Sequence, residues 1–289
     1  MTGPNGNAPS RARGWGFIDL AALGRNTAWS YAATAIAVVL APIAFLALAF
    51  VAIFLAFARH LVTPASAPVL VLVAAFVSVI VAGIVLVWRV ARGHRRPWLS
   101  LISRDLTLDW RRLVIGAGVE GGLLLLFLGL ARVVTGQPAA TGPGMGLPAL
   151  LLIMGLVPFQ AASEEMLFRG YLTQALGRVL RSRGIIAAIV GLVFAVLHFA
   201  AYGALTIPYL FGLSVLYSIV SLRDERLELT IGAHAATNWF GVSAANALDI
   251  GKGTAHLSVG ALGVLVVNGL LFYGLTRLLV RLCCADEPR

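Results

Sequence analysis

Glu164, Glu165, Arg169, His198, His234 and Asn238 are ionisable or strongly polar side chains set in long apolar stretches of the sequence. An ionisable group near mid-bilayer costs about 2.5 to 3.5 kcal/mol on insertion scales, so one kept there faces a partner or a cavity. On a helix Glu165 and Arg169 stand at i, i+4 with the acid first, the order that ion pairing prefers. That spacing predicts a structural ion pair. Glu164 is turned by about 100° from Glu165 at 3.6 residues per turn, so it needs a different neighbour. His198 closes the run Phe194-Ala195-Val196-Leu197-His198, and a hairpin turning at Arg181-Ser182-Arg183-Gly184 brings it level with Glu164. His234 and Asn238, again at i, i+4, project side by side from a further helix.

One carboxylate, two imidazoles and an amide that converge can hydrolyse an amide bond in two ways. A carboxylate and an imidazole can activate water while the other His and the Asn steady the oxyanion. Alternatively, Glu164, His198 and His234 supply three oxygen or nitrogen ligands, the number found at a catalytic zinc ion with a fourth position left for water. No HExxH and no GxSxG occurs, so neither the soluble metalloprotease pattern nor the serine hydrolase pattern adds support. Glu120 lies in Gly116-Ala117-Gly118-Val119-Glu120-Gly121-Gly122, where small residues let helices approach closely and the acid either pairs across helices or borders the cavity. Asn268 and the tryptophans near the ends of apolar runs have ordinary packing and anchoring roles.

Glu164-Glu165-x-x-x-Arg169, Phe194-x-x-x-His198 and His234-x-x-x-Asn238, in that order on successive apolar segments, resemble the three motifs of the CPBP family of intramembrane proteases. This family includes the type II CaaX prenyl endopeptidases and bacterial Abi-like proteins. The resemblance covers roughly residues 146–245. It implies that Glu164 and His198 activate the hydrolytic water, that His234 and Asn238 stabilise the tetrahedral intermediate, and that Glu165 with Arg169 supports the site. It implies proteolysis of a peptide or membrane-protein substrate, either with a divalent metal such as zinc or with none.

The elements that must position these groups are membrane helices. Hydrophobic residues make up 60% of the 289, charged residues 12%, and the mean hydropathy is +0.92, which excludes an ordinary water-soluble domain with about a quarter charged residues. Since about 20 apolar residues cross a bilayer core, eight spans are predicted, at residues 31–57, 68–88, 113–130, 146–172, 185–199, 205–222, 227–245 and 257–280. The fold class expected is an all-α polytopic bundle. Its parts are a cytosolic tail (1–26), an N-terminal membrane region (27–135) with a basic amphipathic loop (89–112), a catalytic core (146–245), and a last span with a short tail (255–289).

The net charge of +10 sits in short clusters between the apolar runs, which reads as topology rather than as a nucleic-acid surface. By the positive-inside rule, both termini are expected in the cytosol of a bacterial plasma-membrane protein. Residues 92–112 mix cations with Trp98, Leu101, Ile102 and Trp110, a pattern shared by a helix lying among lipid headgroups and by a solvated loop. The two cysteines, Cys283 and Cys284, are adjacent and suit neither a disulfide framework nor a zinc cage. Two other functions fit the same polar residues. A Glu/His relay could serve a proton-coupled transporter, although no internal repeat marks paired halves. A noncatalytic scaffold or immunity protein could retain the site for packing.

Overall fold

Apolar runs rich in Leu, Val, Ala and Ile with few internal breakers form helices, and side-chain caps fix where several of them begin. Thr27, Asp109 and Ser182 each accept a hydrogen bond from a backbone N–H in the first turn of the helix that follows. A computed structural model describes residues 16–64, 66–136, 146–199, 206–247 and 259–284, with the backbone alone for 243–247 and 259–262. We label its helices α1 (Ala28–Ala58), α2 (Ala67–Gly93), α3 (Trp110–Thr135), α4 (Leu147–Leu176), α5 (Arg183–Leu197), α6 (Ile207–Asp224), α7 (Glu228–Ala247) and α8 (Val259–Cys283). The molecule is an all-α bundle, as its composition requires. An isolated bridge between Ser103 and Arg226 is the only β pairing among the described residues.

Among the described residues, five helices are long and apolar enough to cross a membrane: α1 to α4, and α8 over Gly263–Cys283. The three other predicted spans are helices too. Of these, α5 is apolar but has 15 residues, and α6 and α7 turn serines, threonines and ionisable groups inward. The large apolar side chains left exposed on α1, such as Leu48 and Phe54, form a surface suited to lipid.

Helix α7 is the axis of the bundle. Every residue from 226 to 236 is buried, and a helix enclosed on all sides must be free of bulky groups where its neighbours press closest. Gly232 meets that demand. A Cβ there would lie 2.0 Å from the Leu113 carbonyl oxygen, and a Cβ on Gly116 would lie 2.0 Å from the Leu229 oxygen, so α3 and α7 cross through these two glycines. On its other side α7 packs on α4, which in turn rests on the α1–α2 pair, while α5 and α6 pack together and α8 leans on α3 and α6.

Two basic segments pack more closely on the bundle than their composition suggests. Within the expected tail, Phe17–Leu23 form a 3₁₀ turn whose Phe17 and Leu20 are buried in the main apolar core with Leu86, Leu101 and Leu227. Residues 1–15, with Arg11 and Arg13, lie outside the described residues. The basic segment 92–112 is not one continuous helix, and part of it is buried. It folds as two short turns with Leu101, Ile102 and Ser103 buried, because its polar groups find protein partners: Arg96 donates to Gln174 Oε1 at 2.6 Å, and Gln174 to the Ser100 carbonyl at 2.6 Å. These contacts sheathe the last turns of α4 in protein.

Candidate active site

Glu164 and Glu165 end the regular part of α4, and the next seven residues, Met166–Leu172, wind as a π turn. Such a turn carries an extra residue and is frequent at functional sites. Thr173 Oγ1 donates to the Phe168 carbonyl, five residues back, and caps the widened turn. Glu165 and Arg169 are fully buried and paired, Arg169 Nη1 donating to Glu165 Oε1 at 2.9 Å. The same Arg169 donates from Nη2 to Ser214 Oγ on α6 at 2.7 Å, and its guanidinium lies 4.7 Å from the Phe194 ring and 5.7 Å from that of Tyr217. Buried charges need this many partners to offset lost hydration.

Glu165 does a second thing. Its Oε1, held by Arg169, also accepts from His234 Nδ1 at 2.8 Å. A carboxylate already committed to a guanidinium is an acceptor, so it fixes His234 with the proton on Nδ1 and presents Nε2 on the opposite edge. Facing that edge, 3.4 Å away, is Glu164 Oε2. Glu164 is nearly buried, and this oxygen is among the few buried polar atoms with no hydrogen-bond partner.

One helical turn away, Asn238 Nδ2 donates to Gln160 Oε1 at 2.7 Å. The two contacts form a ladder across antiparallel helices: 164 opposes 234, and 160 opposes 238, each pair of rungs spaced i, i+4 on its own helix. Gln160, buried at 4% exposure, was legible in principle, since it precedes Glu164 by one turn on the same face. Ser214 and Tyr217 carried no such signal, because only the packing of α6 brings them to Arg169 and His234. The Tyr217 and His234 ring centroids are 6.2 Å apart.

His198 stands elsewhere. The hairpin register expected from the turn at 181–184 is present, with the Phe168 and Phe194 rings in edge contact at 5.1 Å. His198, however, caps the end of α5, donating from Nδ1 to its own helix at the Phe194 carbonyl, 2.7 Å away. Its ring lies 4.3 Å from that of Phe194, and Phe194 in turn lies 6.1 Å from the His234 ring. Phe194 thus contacts both imidazoles, and Glu164 is the carboxylate that faces His234 Nε2. Among the described residues no three His, Cys, Asp or Glu side chains gather as a metal-holding group, so Glu164, His198 and His234 do not fit a three-ligand metal site here.

Glu120 pairs across helices. It accepts from Asn268 Nδ2 of α8 at 3.1 Å, and Thr237 Oγ1 of α7 lies 3.5 Å away, itself 3.1 Å from the Tyr217 hydroxyl. This polar node joins α3, α6, α7 and α8 behind His234. An apolar groove of about 330 Å³ lies between α2 and α4, lined by Ser163 and Met166, which flank the two glutamates in the sequence.

Residues 146–240 match the family model of the type II CAAX prenyl endopeptidase Rce1-like proteins. The chain is also similar to the uncharacterized protein YyaK of Bacillus subtilis (strain 168), with 31% identity over 157 residues, which is 50% of this chain and 52% of that protein. The chain thus spans about half the length of the curated relative it matches. No solved structure matches it. The family match brackets the whole ladder, from Gln160 to Asn238, so the segment that carries the candidate site is the one similar to the Rce1-like type II CAAX prenyl endopeptidases.

Proposed function

We propose that the protein is a membrane-embedded endopeptidase that hydrolyses a peptide bond with a water activated between Glu164 and His234. One observation carries the reading: a buried carboxylate oxygen without a hydrogen-bond partner faces, at 3.4 Å, the free edge of an imidazole whose other nitrogen is anchored on a second carboxylate. An acceptor buried without a donor costs about 1 to 3 kcal/mol, and a water that donates to it relieves that cost.

In this reading the water donates one hydrogen to Glu164 Oε2 and the other to His234 Nε2, which aims its lone pair at the substrate carbonyl. As its oxygen adds to the carbonyl carbon, Glu164 takes one proton and the C=O electron pair moves onto the carbonyl oxygen. Asn238 spends one Nδ2 hydrogen on Gln160 and has a second for that oxyanion. When the intermediate collapses, the C–N bond breaks and the proton on Glu164 goes to the leaving nitrogen, which restores the carboxylate. The new carboxylic acid loses its proton through His234 Nε2. Glu165 and Arg169 touch no substrate here; they position His234. His234, whose Nε2 faces Glu164, assumes the water-activating part that the family resemblance gave to His198. The substrate is a peptide or a membrane-protein segment, and the apolar groove along α2 and α4 suits its apolar side chains.

The test is Glu164→Gln in the purified full chain, assayed on a library of apolar peptides. The substitution keeps shape and removes the base, so cleavage should fall by about 100-fold or more with thermal unfolding unchanged. Unchanged cleavage would overturn the assignment.

A further inference from the structure

A second cavity lies away from the ladder. It has a volume of about 1030 Å³ and lies where the start of α3 and the ends of α6 and α8 come together, beyond the buried part of the bundle. Six arginines and three acids line it. Each acid is already taken: Glu225 by Arg104, Asp224 by Arg112 at 2.6 Å, and Asp105 by Arg226 at 3.0 Å. Three arginines remain, Arg223 from α6 and Arg277 and Arg281 from α8, and among the described residues no carboxylate pairs with them.

These three are held together without neutralisation. Tyr273, Arg277 and Arg281 recur every four residues and share one face of α8. The Tyr273 hydroxyl accepts from Arg223 Nη1 at 2.5 Å and from Arg277 Nη1 at 3.2 Å, and the Arg223 guanidinium also lies 5.2 Å from the Tyr273 ring. Guanidiniums repel one another, so two of them gathered on one neutral hydroxyl beside a third need an anion to balance them. The planar donor forks match the oxygens of a phosphate group. The neighbouring face of α8 exposes Leu278 and Leu282, a lipid-facing surface, so the cluster stands at the level where headgroup phosphates lie.

We propose that Arg223, Arg277 and Arg281, with Tyr273 as their hinge, form a binding site for a phosphate group at this end of the bundle. A phospholipid headgroup reaches it from the bilayer, and free phosphate reaches it from solvent. The site is separate from the ladder and does not depend on the proposed hydrolysis.

Binding of short-chain phosphatidylglycerol to the detergent-solubilised full chain tests this, read by titration calorimetry and repeated with inorganic phosphate. Arg277→Gln with Arg281→Gln should weaken binding by about tenfold or more, whereas Arg111→Gln, an exposed arginine outside the cavity, should leave it within about twofold. Tyr273→Phe keeps every charge and should weaken binding by less than the double variant. Binding of the lipid alone identifies the headgroup as the source, and competition by inorganic phosphate identifies the phosphate group itself. Equal losses for Arg111→Gln and the double variant, or no saturable binding of either probe, would overturn the proposal. All four side chains are at the surface, and thermal unfolding of each variant separates lost binding from lost fold.

Discussion

Glu165 is the residue on which the two halves of the site depend. One of its oxygens accepts from both Arg169 and His234, so the ion pair foreseen from spacing also sets the tautomer of the imidazole. Removing the charge of Glu165 leaves a buried guanidinium unbalanced, a change that costs about 3 to 5 kcal/mol. Glu165→Gln should accordingly lower the unfolding temperature strongly and reduce turnover as His234 loses its anchor. Glu165→Gln combined with Arg169→Met removes both charges and should recover most of the stability while turnover stays low. Recovery of both would mean that Glu165 has no positioning role. The i, i+4 pairs were legible because spacing within a helix is fixed by its period. The partner of Glu164 was not, since nothing in the neighbouring residues says which helix comes to face it.

At the scale of elements, the crossing of α3 and α7 decides where His234 stands. Gly232 lies two residues before it and touches the α3 backbone, so an added methyl group must push the helices apart. Gly232→Ala should destabilise the protein by about 1 to 3 kcal/mol and lower peptide cleavage with it. Gly129→Ala, on α3 where a Cβ would meet nothing within 4 Å, should be neutral or stabilise by up to about 1 kcal/mol through helix propensity. Thermal unfolding of the two variants side by side checks the contrast, and an equal response would remove the close crossing from the explanation. The small-residue run around Glu120 announced such an approach in the sequence, but not which helix makes it. The π turn after Glu165 carried no warning at all, because Met166–Leu172 has ordinary helix-forming composition.

For the whole molecule, the surprise is how much of the apparent tail and loop belongs to the fold. His94, from the segment read as a solvated or interfacial loop, is buried and ties three parts of the chain together. Its Nδ1 donates to the Arg25 carbonyl at 2.9 Å, and its Nε2 accepts from the Tyr171 hydroxyl of α4 at 3.0 Å and lies 3.2 Å from Thr34 Oγ1 of α1. Burial first, and then the charges of Arg96 and Arg89, hold its pKa below the ordinary histidine value against the pull of the Arg25 carbonyl. The unfolded chain takes up a proton near pH 6.5 that the folded chain resists, so stability is full above that pH and falls as the pH drops below it. The unfolding temperature should decline between pH 8 and pH 5, and His94→Asn should flatten that decline at the cost of lower stability throughout. A decline of the same steepness in the variant would assign it to other groups. By itself the sequence determined the helical class, the apolar segments and the identity of the polar residues within them, because hydropathy and the 3.6-residue period act locally. Only the tertiary structure decided that Glu164 meets His234, that Asn238 leans on Gln160, and that Phe17, Leu20, His94 and Leu101 are core. Contacts between helices depend on crossing points and phase, which the glycine contact of α3 with α7 and the π turn of α4 set at a distance from the residues they bring together.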